Sequence, residues 1–290
     1  MNLHEYMETL RKEVDRTIIT AQYSSRHTVA EAMRYSIRNG GKRFRPILLL
    51  MVLEAFGIEK EKGMAVAISL EMIHTYSLIH DDLPAMDDDD FRRGVLTNHK
   101  VYGEAAALLA GDGLLTDAFN VLVNDKNLDA AMRLKLVKLL SAAAGSCGMI
   151  EGQLLDMEAE KKKVNLDELK QIHQLKTGKL IEFACLAAGF IAEPTGIHTH
   201  KLRWFANHLG LAFQIQDDIL DVEGDEKKLG KAVGSDVANG KATYVSLLGL
   251  EGAKEMLAQE VSQALAILDQ LPADINMLKE LTLYVANRDH

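Results

Sequence analysis

Apolar residues recur at helical spacing along almost the whole chain. Near the start, Leu3, Met7, Leu10, Val14 and Ile18 follow one another in steps of three or four residues. That is the period of one face of an amphipathic α-helix, whereas the residue-by-residue alternation of half-buried strands is essentially absent. The predicted class is therefore all-α. Further helices are predicted approximately over 46–57, 64–83, 104–123, 130–156, 166–191, 198–222, 244–271 and 276–287.

Prolines and glycines support several of these boundaries. Pro46 stands where a first helical turn accepts proline, and Gly57 stands where a C-terminal cap belongs. Pro84 ends the helix that precedes it. The 290 residues contain only four prolines, with no Ser/Gly/Pro-rich linker and no internal repeat. These features predict a single domain over residues 1–290.

Charge and hydropathy argue against several classes of protein. Lys and Arg number 33 against 42 Asp and Glu, a net charge of −9, so nucleic-acid binding and a polybasic membrane anchor are not expected. Mid-chain stretches without Asp, Glu, Lys or Arg, such as Leu139 to Ile150, are too short to span a bilayer. The N-terminus lacks the apolar core of a secretory signal. Cys147 and Cys185 have no CxxC spacing, so they are predicted to be buried free thiols of a cytoplasmic protein.

Two aspartate-rich motifs carry the first chemical signal. Six carboxylates lie within Asp81–Asp90 (DDLPAMDDDD), at a predicted helix C-terminus where the helix dipole disfavours negative charge. The second motif, QIQDDILD, places Asp217 and Asp221 on one face of an apolar helix, with Gln214 one turn earlier. Each motif alone also suits a solvated acidic surface. Together they favour a site for a hard divalent cation such as Mg²⁺.

Basic residues cluster beside these carboxylates. Arginine binds phosphate with a planar fork and lysine binds it as a point charge. An acidic protein that places cations next to aspartates is arranging a site for phosphate, although each cation alone could be a solvated surface charge. His74, two turns before Asp81, is either a phosphate donor or a core histidine. The basic residues are Lys42, Arg43, Arg45, Arg92, Arg93, Lys176, Lys179, Lys231 and Lys241.

These motifs resemble those of the trans-polyprenyl diphosphate synthases. DDLPAMDDDDFRRG resembles the first aspartate-rich motif of that family and QIQDDILD the second, while GGKRFRP, LKTGKL and GKAVGSD match its smaller signatures. The likeness covers nearly the whole chain and is greatest to bacterial members that make a fifteen-carbon product. It implies a single-domain orthogonal helical bundle of the isoprenoid synthase type around a central cavity, with the two aspartate motifs near its mouth.

The resemblance also implies an activity: head-to-tail condensation of isopentenyl diphosphate with dimethylallyl and geranyl diphosphate, giving (2E,6E)-farnesyl diphosphate. About three Mg²⁺ ions, or Mn²⁺, would assist ionisation of the allylic diphosphate. Asp81, Asp87 and Asp217 would be metal ligands, with Asp82, Asp218 and Asp221 as near partners. The allylic diphosphate would be bound by Arg92, Lys176, Lys231 and Lys241, and isopentenyl diphosphate by Lys42, Arg45, His74 and Arg93. Thr177 and Gln214 would line the space near the developing cation.

Product length would depend on a floor to the cavity. Tyr76 and Ser77 lie five and four residues before Asp81, about 7.5 and 6 Å along a helix. In the family, a bulky aromatic here resembles a stopper at about fifteen carbons. Tyr76 could equally be an ordinary core aromatic.

Several alternatives stay open at this point. Within the family, the product could have ten or twenty carbons. A terpene cyclase would carry an Asn/Ser/Glu metal triad in place of the second motif, and a non-catalytic regulatory subunit would have lost aspartates. A metal phosphohydrolase could be built on His80 and Asp81 if His99 or His173 joined them. The resemblance and the apolar helix faces predict a homodimer without nucleic-acid or membrane partners.

Overall fold

The computed structural model describes residues 2–21, 28–223 and 241–288. The described chain is almost entirely helical, which confirms the all-α class. It divides into two compact units: Met1–Leu53 with Ile58–Lys138, and Glu54–Gly57 with Leu139–His290. The single-domain organisation stays a prediction.

The first unit is organised around the contact between two long helices. Helix α4 lies along α6, α2 packs against α6, and α1 packs against both α2 and α4. The elements of this unit are α1 (Leu3–Ala21), α2 (Thr28–Arg38), α3 (Phe44–Ala55), α4 (Glu61–Asp81), β1 (Phe91–Arg92), β2 (Val95–Leu96), α5 (Asn98–Tyr102), α6 (Glu104–Val123) and the first part of α7 (Ala130–Ala144).

Helices α3 and α4 form much of the core of this unit. Every residue of α3 from Ile47 to Leu53 is buried. Burying a side chain of the size of leucine or isoleucine stabilises the fold by about 1.5–3 kcal/mol. Helix α4 is buried on more than one side, including polar Ser69, Glu71 and Thr75. This burial holds rigidly the helix that ends at the first aspartate motif.

A short hairpin follows that motif and was not predicted. Phe91 pairs with Leu96 and Arg92 with Val95 in an antiparallel ladder. The turn residues Arg93 and Gly94 both have positive φ, 56° and 78°, as a two-residue type I′ turn requires. Strands of two residues are too short to show alternation in a sequence.

The second unit is built on α11, which packs against α12 and α10. Capping boxes at Asn165 and Thr243 begin α9 and α12 and satisfy backbone donors that the first helical turn leaves open. Its elements after α7 are α8 (Met149–Ala159), α9 (Leu166–His173), a π-helical turn (Gln174–Gly178), α10 (Lys179–Ala192), α11 (Thr199–Glu223), α12 (Tyr244–Leu268) and α13 (Asn276–Asn287).

Several sequence predictions need correction. The helix predicted over 130–156 is two helices, because the chain leaves helical geometry between Ala144 and Met149. The helix predicted over 166–191 contains the π turn, and α2 was missed. Cys147, predicted to be buried, is exposed, whereas Cys185 is buried as predicted.

One described helix, α6, is long and apolar enough to cross a bilayer by length and composition alone. A third of that apolar window is buried inside the protein. Core helices of soluble proteins pass the same test, so this is weak evidence for a membrane span.

Candidate active site

The first aspartate motif begins at the last residue of α4 and turns back on it. The backbone N–H of Asp87 donates to the Asp81 carbonyl at 2.9 Å, which brings the motif's second metal-ligand candidate to the helix end that carries the first. Asp81 is half-buried and Asp87 is exposed. Hard carboxylate oxygens at an open helix end suit Mg²⁺, which is usually bound through one or two carboxylates together with substrate phosphates.

Asp82 differs from its neighbours because it is buried and paired. Arg92 Nε donates to its Oδ1 at 2.5 Å, and Arg92 Nη2 reaches Asp89 Oδ2 at 3.3 Å. Burial raises the pKa of Asp82 to about 6, which the Arg92 guanidinium offsets only in part. Arg92, expected on the allylic diphosphate, therefore holds the acidic motif together in this structure.

A second guanidinium, Arg93, covers the glycine-rich turn before α3. Its Nη1 donates to the Gly40 carbonyl, and a side chain at Gly41 would collide with the guanidinium. The hairpin thus brings Arg93 to the segment that carries Lys42, which is exposed. These two predicted isopentenyl diphosphate ligands therefore come from one small region of the first unit.

His74 and Arg45 are half-buried neighbours in that region. Arg45 Nη1 donates to His74 Nε2 at 3.3 Å, so the imidazole accepts there and carries its proton on Nδ1. Burial, followed by four nearby guanidinium groups, holds the pKa of His74 well below its usual range. The guanidinium groups belong to Arg45, Arg93, Arg43 and Arg92. The neutral imidazole therefore lies in a strongly positive region that favours an anion.

Arg43 belongs to the fold, although it stands between two candidate ligands in the sequence. Its guanidinium is buried and donates to Asp15 Oδ1 and to Glu71 Oε1, each at 2.8 Å. A third donor reaches the Ile37 carbonyl at 2.5 Å. These contacts join α1, α2 and α4, and they leave the anion-binding roles to Lys42 and Arg45.

The chain-length candidates lie on α4 behind the aspartates. Tyr76 is buried, and Ser77 is half-buried with its Oγ donating to the His74 carbonyl at 3.0 Å. A small recess opens beside this helix. Leu78, Ile79, Asp82, Arg92 and Arg93 contribute to its lining.

In the second unit, the π turn carries Lys176 and Thr177. Lys176 Nζ donates to Asp156 Oδ2 in α8 at 2.6 Å. Thr177 Oγ1 donates to the Gln214 side chain in α11. A Cβ at Gly152 of α8 would overlap the Lys176 backbone, so glycine there permits the close approach of α8 to the π turn. Functional sites often lie at such π turns.

Asp156 was not singled out from the sequence. Although burial opposes its charge, the ammonium groups of Lys176 and Lys241 hold the pKa of Asp156 below its usual value. Lys241 also approaches Glu160 Oε1 at 3.4 Å. Asp156 therefore acts as a shared counter-ion for two of the predicted allylic diphosphate ligands. The third predicted lysine, Lys231, lies outside the described residues.

The second aspartate motif separates into an exposed member and two buried ones. Asp217 keeps 43% of its side chain exposed and accepts from Arg288 Nη2 at 2.6 Å. Asp218 is buried and accepts the backbone N–H of Tyr244 at 2.7 Å, at the start of α12. Asp221 is also buried. The geometry assigns Asp218 a structural role and leaves Asp217 as the metal-ligand candidate with an accessible carboxylate.

The histidines of the phosphohydrolase alternative do not assemble around Asp81. His80 Nε2–H donates to the Leu108 carbonyl at 3.0 Å. His99 is buried against Thr97, and His173 is half-buried against the ring of Tyr244. Within the described ranges, no group of three or more His, Cys, Asp or Glu side chains converges as a ready-made metal cage.

Comparison with known proteins gives one consistent result. A family model described as polyprenyl synthetase matches residues 26–282. The chain is similar to a farnesyl diphosphate synthase of Geobacillus stearothermophilus, with 52% identity over 262 residues, or 90% of this chain and 88% of that protein.

Solved structures agree with the sequence comparison. An FPP/GFPP synthase of Zymomonas mobilis, in its apo form, has a TM-score of 0.88 and 37% identity, covering 98% of this chain and 99% of that one. A geranyltransferase of Helicobacter pylori, complexed with magnesium and isoprenyl diphosphate, has a TM-score of 0.84 and 34% identity, covering 99% and 97%.

Proposed function

Since this chain belongs to the polyprenyl synthetase family and is a prenyltransferase, we propose that it makes (2E,6E)-farnesyl diphosphate. It would condense isopentenyl diphosphate head-to-tail with dimethylallyl diphosphate and then with geranyl diphosphate. The geometric observation that carries this proposal is the Arg45–His74 contact of 3.3 Å, together with Arg93 on the glycine-rich turn, in the same unit as the first aspartate motif. A cationic anion site in the same unit as a carboxylate cluster suits diphosphate chemistry.

We assign the metal-binding role to Asp81, Asp87 and Asp217. About three Mg²⁺ ions, with Mn²⁺ able to replace them, would supply charge stabilisation for the leaving diphosphate. The accessible carboxylates of Asp81 and Asp87 suit hard cations, and the structural relative with bound magnesium supports the choice of metal. Asp82 and Asp221 would support these ligands from buried positions, as Asp218 does by holding the start of α12.

The basic residues would divide between the two substrates. Lys176, Lys231 and Lys241, with Arg92, would bind the allylic diphosphate and stabilise it as the C–O bond breaks. Thr177 and Gln214 form a hydrogen-bonded pair that would present oxygens towards the allylic cation. Lys42, Arg45, His74 and Arg93 would bind isopentenyl diphosphate, with His74 Nδ1–H as a neutral donor.

Carbon–carbon bond formation then requires loss of a proton. The electron pair of the isopentenyl double bond attacks the allylic carbon, and the resulting tertiary cation releases a proton to form the new double bond. We assign no side chain as the base, and the departing diphosphate is the acceptor that we propose. Apolar side chains such as Leu78, Ile79, Phe213 and Ile215 would keep water from the cation.

Tyr76 would end the growing chain at fifteen carbons, with Ser77 as its small neighbour. Burial of Tyr76 in α4 supports this role. Products of ten or twenty carbons are the alternative within the family.

We propose a cytoplasmic homodimer of single-domain subunits. The family match runs through both units of the chain, which supports one domain. Helix α6 exposes Leu108, Leu109 and Val123, and α7 exposes 71% of Leu134. We propose that a second copy of the chain buries these exposed apolar side chains.

The direct test is a product assay. The protein is incubated with Mg²⁺, labelled isopentenyl diphosphate and, separately, dimethylallyl, geranyl or farnesyl diphosphate. A fifteen-carbon product from the first two starters, with farnesyl diphosphate barely extended, is the expected result. A twenty-carbon product would support the condensation reaction but refute the assignment of Tyr76 as the residue that limits chain length. Release of pyrophosphate without condensation would indicate a cyclase or a hydrolase. The absence of any turnover would indicate a regulatory subunit.

A further inference from the structure

We propose that His80 is a positioning residue for product length, holding the ring of Tyr76 in place through contacts that begin at Gly111 in α6. The inference rests on the proposed function, because Tyr76 can limit chain length only in an enzyme that elongates prenyl chains. Neither His80 nor Gly111 has a role in the assignments above.

The ring of Tyr76 is not held by a hydrogen bond. Tyr76 is only 5% exposed, yet its phenol oxygen has no hydrogen-bond partner among the described residues. Burial raises the pKa of Tyr76 to about 12, so the phenol is neutral and no ion pair fixes it. The orientation of the ring therefore depends on the side chains packed against it.

His80 supplies an aromatic contact of this kind. The two ring centroids are 5.7 Å apart and the planes meet at 75°, the edge-to-face arrangement that aromatic pairs prefer. The residues are four apart on α4, so they stack one turn above the other on one face. Along α4, His80 lies between Tyr76, which we propose as the floor of the cavity, and Asp81, where the diphosphate would bind.

His80 is itself fixed from α6. Its Nε2–H donates to the Leu108 carbonyl at 3.0 Å. The imidazole lies directly on Gly111, where a Cβ would overlap Nε2 and Cδ2. Only glycine at this position leaves space for the ring. Any side chain at 111 would displace His80 and with it the support of Tyr76.

A rigid ring matters because chain length is decided by where a flexible hydrocarbon is stopped. If the Tyr76 ring can turn aside, the fifteen-carbon product gains space for a further unit. The relay from Gly111 to His80 to Tyr76 keeps the ring across that path. The contacts of His80 with Leu108 and Gly111 would also join α4 to α6 if His80 had no role in product length. A measurement of product length distinguishes these two roles.

The test compares Gly111→Ala with Gly113→Ala on the same helix. A Cβ at Gly113 meets the flexible end of Met33, 3.0 Å from Sδ, so this variant changes helix propensity equally without touching His80. Products formed from geranyl and isopentenyl diphosphate with Mg²⁺ are separated by chain length. Gly111→Ala should raise the ratio of twenty- to fifteen-carbon product by about 2- to 12-fold, the factor that loss of an edge-to-face contact allows. Gly113→Ala should match the unaltered protein.

Variants of His80 provide the second arm, in case Gly111→Ala does not fold. His80→Ala should raise the same ratio, His80→Phe should raise it less because a ring remains, and Tyr76→Ala should set the upper limit. If Tyr76→Ala lengthens the product while active Gly111→Ala and His80→Ala do not, the relay is overturned and the floor stands. If the unaltered protein condenses nothing, the proposed function fails, and this inference fails with it.

Discussion

Asp156 offers the sharpest test of the proposed allylic site, because it touches no assigned substrate. In Asp156→Asn, the carboxylate that accepts from Lys176 at 2.6 Å becomes a neutral amide, so the ion-pair part of this hydrogen bond is lost. The two side chains are only 28% and 23% exposed, so water replaces the bond poorly. A hydrogen bond to a charged group contributes about 1.5–3 kcal/mol. If Lys176 must be held in place to bind the allylic diphosphate, the KM for geranyl diphosphate should rise by about 10- to 100-fold.

The assay is steady-state kinetics with each substrate varied in turn. The KM for isopentenyl diphosphate should change by less than about 3-fold, since its proposed ligands lie in the first unit. Glu182→Gln is the matched control: Glu182 pairs with Lys179 at 2.9 Å and with Arg203 at 2.9 Å, outside the assigned site. It should lower thermal stability without selectively raising the KM for geranyl diphosphate. An unchanged or lower KM for geranyl diphosphate in Asp156→Asn would refute the reasoning, because Lys176 would then bind without its counter-ion.

Three further predictions concern stability, pH and metal. Arg43→Ala removes the buried cation that pairs with Glu71 and should cost about 3–5 kcal/mol in urea unfolding. Arg11→Ala removes pairs that lie near the surface and should cost less than about 1 kcal/mol. Equal losses in the two variants would contradict this. Burial lowers the pKa of His173 to about 4 from 6.5, so the unfolded chain takes up the proton first as pH falls, and about 3 kcal/mol of stability should be lost between those two pH values. His173→Gln should flatten that part of the stability profile, and an unchanged slope would exclude His173 as its source. Arg288→Gln removes a cation from Asp217 and should lower the Mg²⁺ concentration for half-maximal activity by about two- to five-fold; a higher requirement would show that Arg288 orients the carboxylate instead.

Most helices could be predicted because their apolar faces have the helical period. Helix α2 was missed although it was predictable in the same way, since its buried Ala30, Met33 and Ile37 follow one another in steps of three and four residues. The break between α7 and α8 was not predicted, because the small and apolar residues there continue the helical pattern. The π turn depends on how closely Gly152 lets α8 approach Lys176, and that is a tertiary contact.

For the site, the residue types were evident but their partners were not. Aspartate clusters and neighbouring cations are visible in a sequence, so the metal and phosphate candidates could be named. Asp156 lies 20 residues before Lys176, and Arg288 lies 71 residues after Asp217, so these pairings depend on the tertiary fold. Likewise, the resemblance implies that Asp218 is a near partner of the metal ligands, and in the structure Asp218 accepts the backbone N–H at the start of α12.

The π turn at Gln174–Gly178 has a consequence for how this protein tolerates changes in length. A π turn holds one residue more than the α-helical turn that would join the same flanks. Deleting one residue there would let α9 and α10 continue as one regular helix without moving either. The turn carries Lys176, which donates to Asp156, and Thr177, which donates to Gln214, and a deletion would rotate these side chains relative to α8 and α11. A one-residue deletion at this point should therefore be silent for folding and severe for activity, the reverse of what is usual inside a helix.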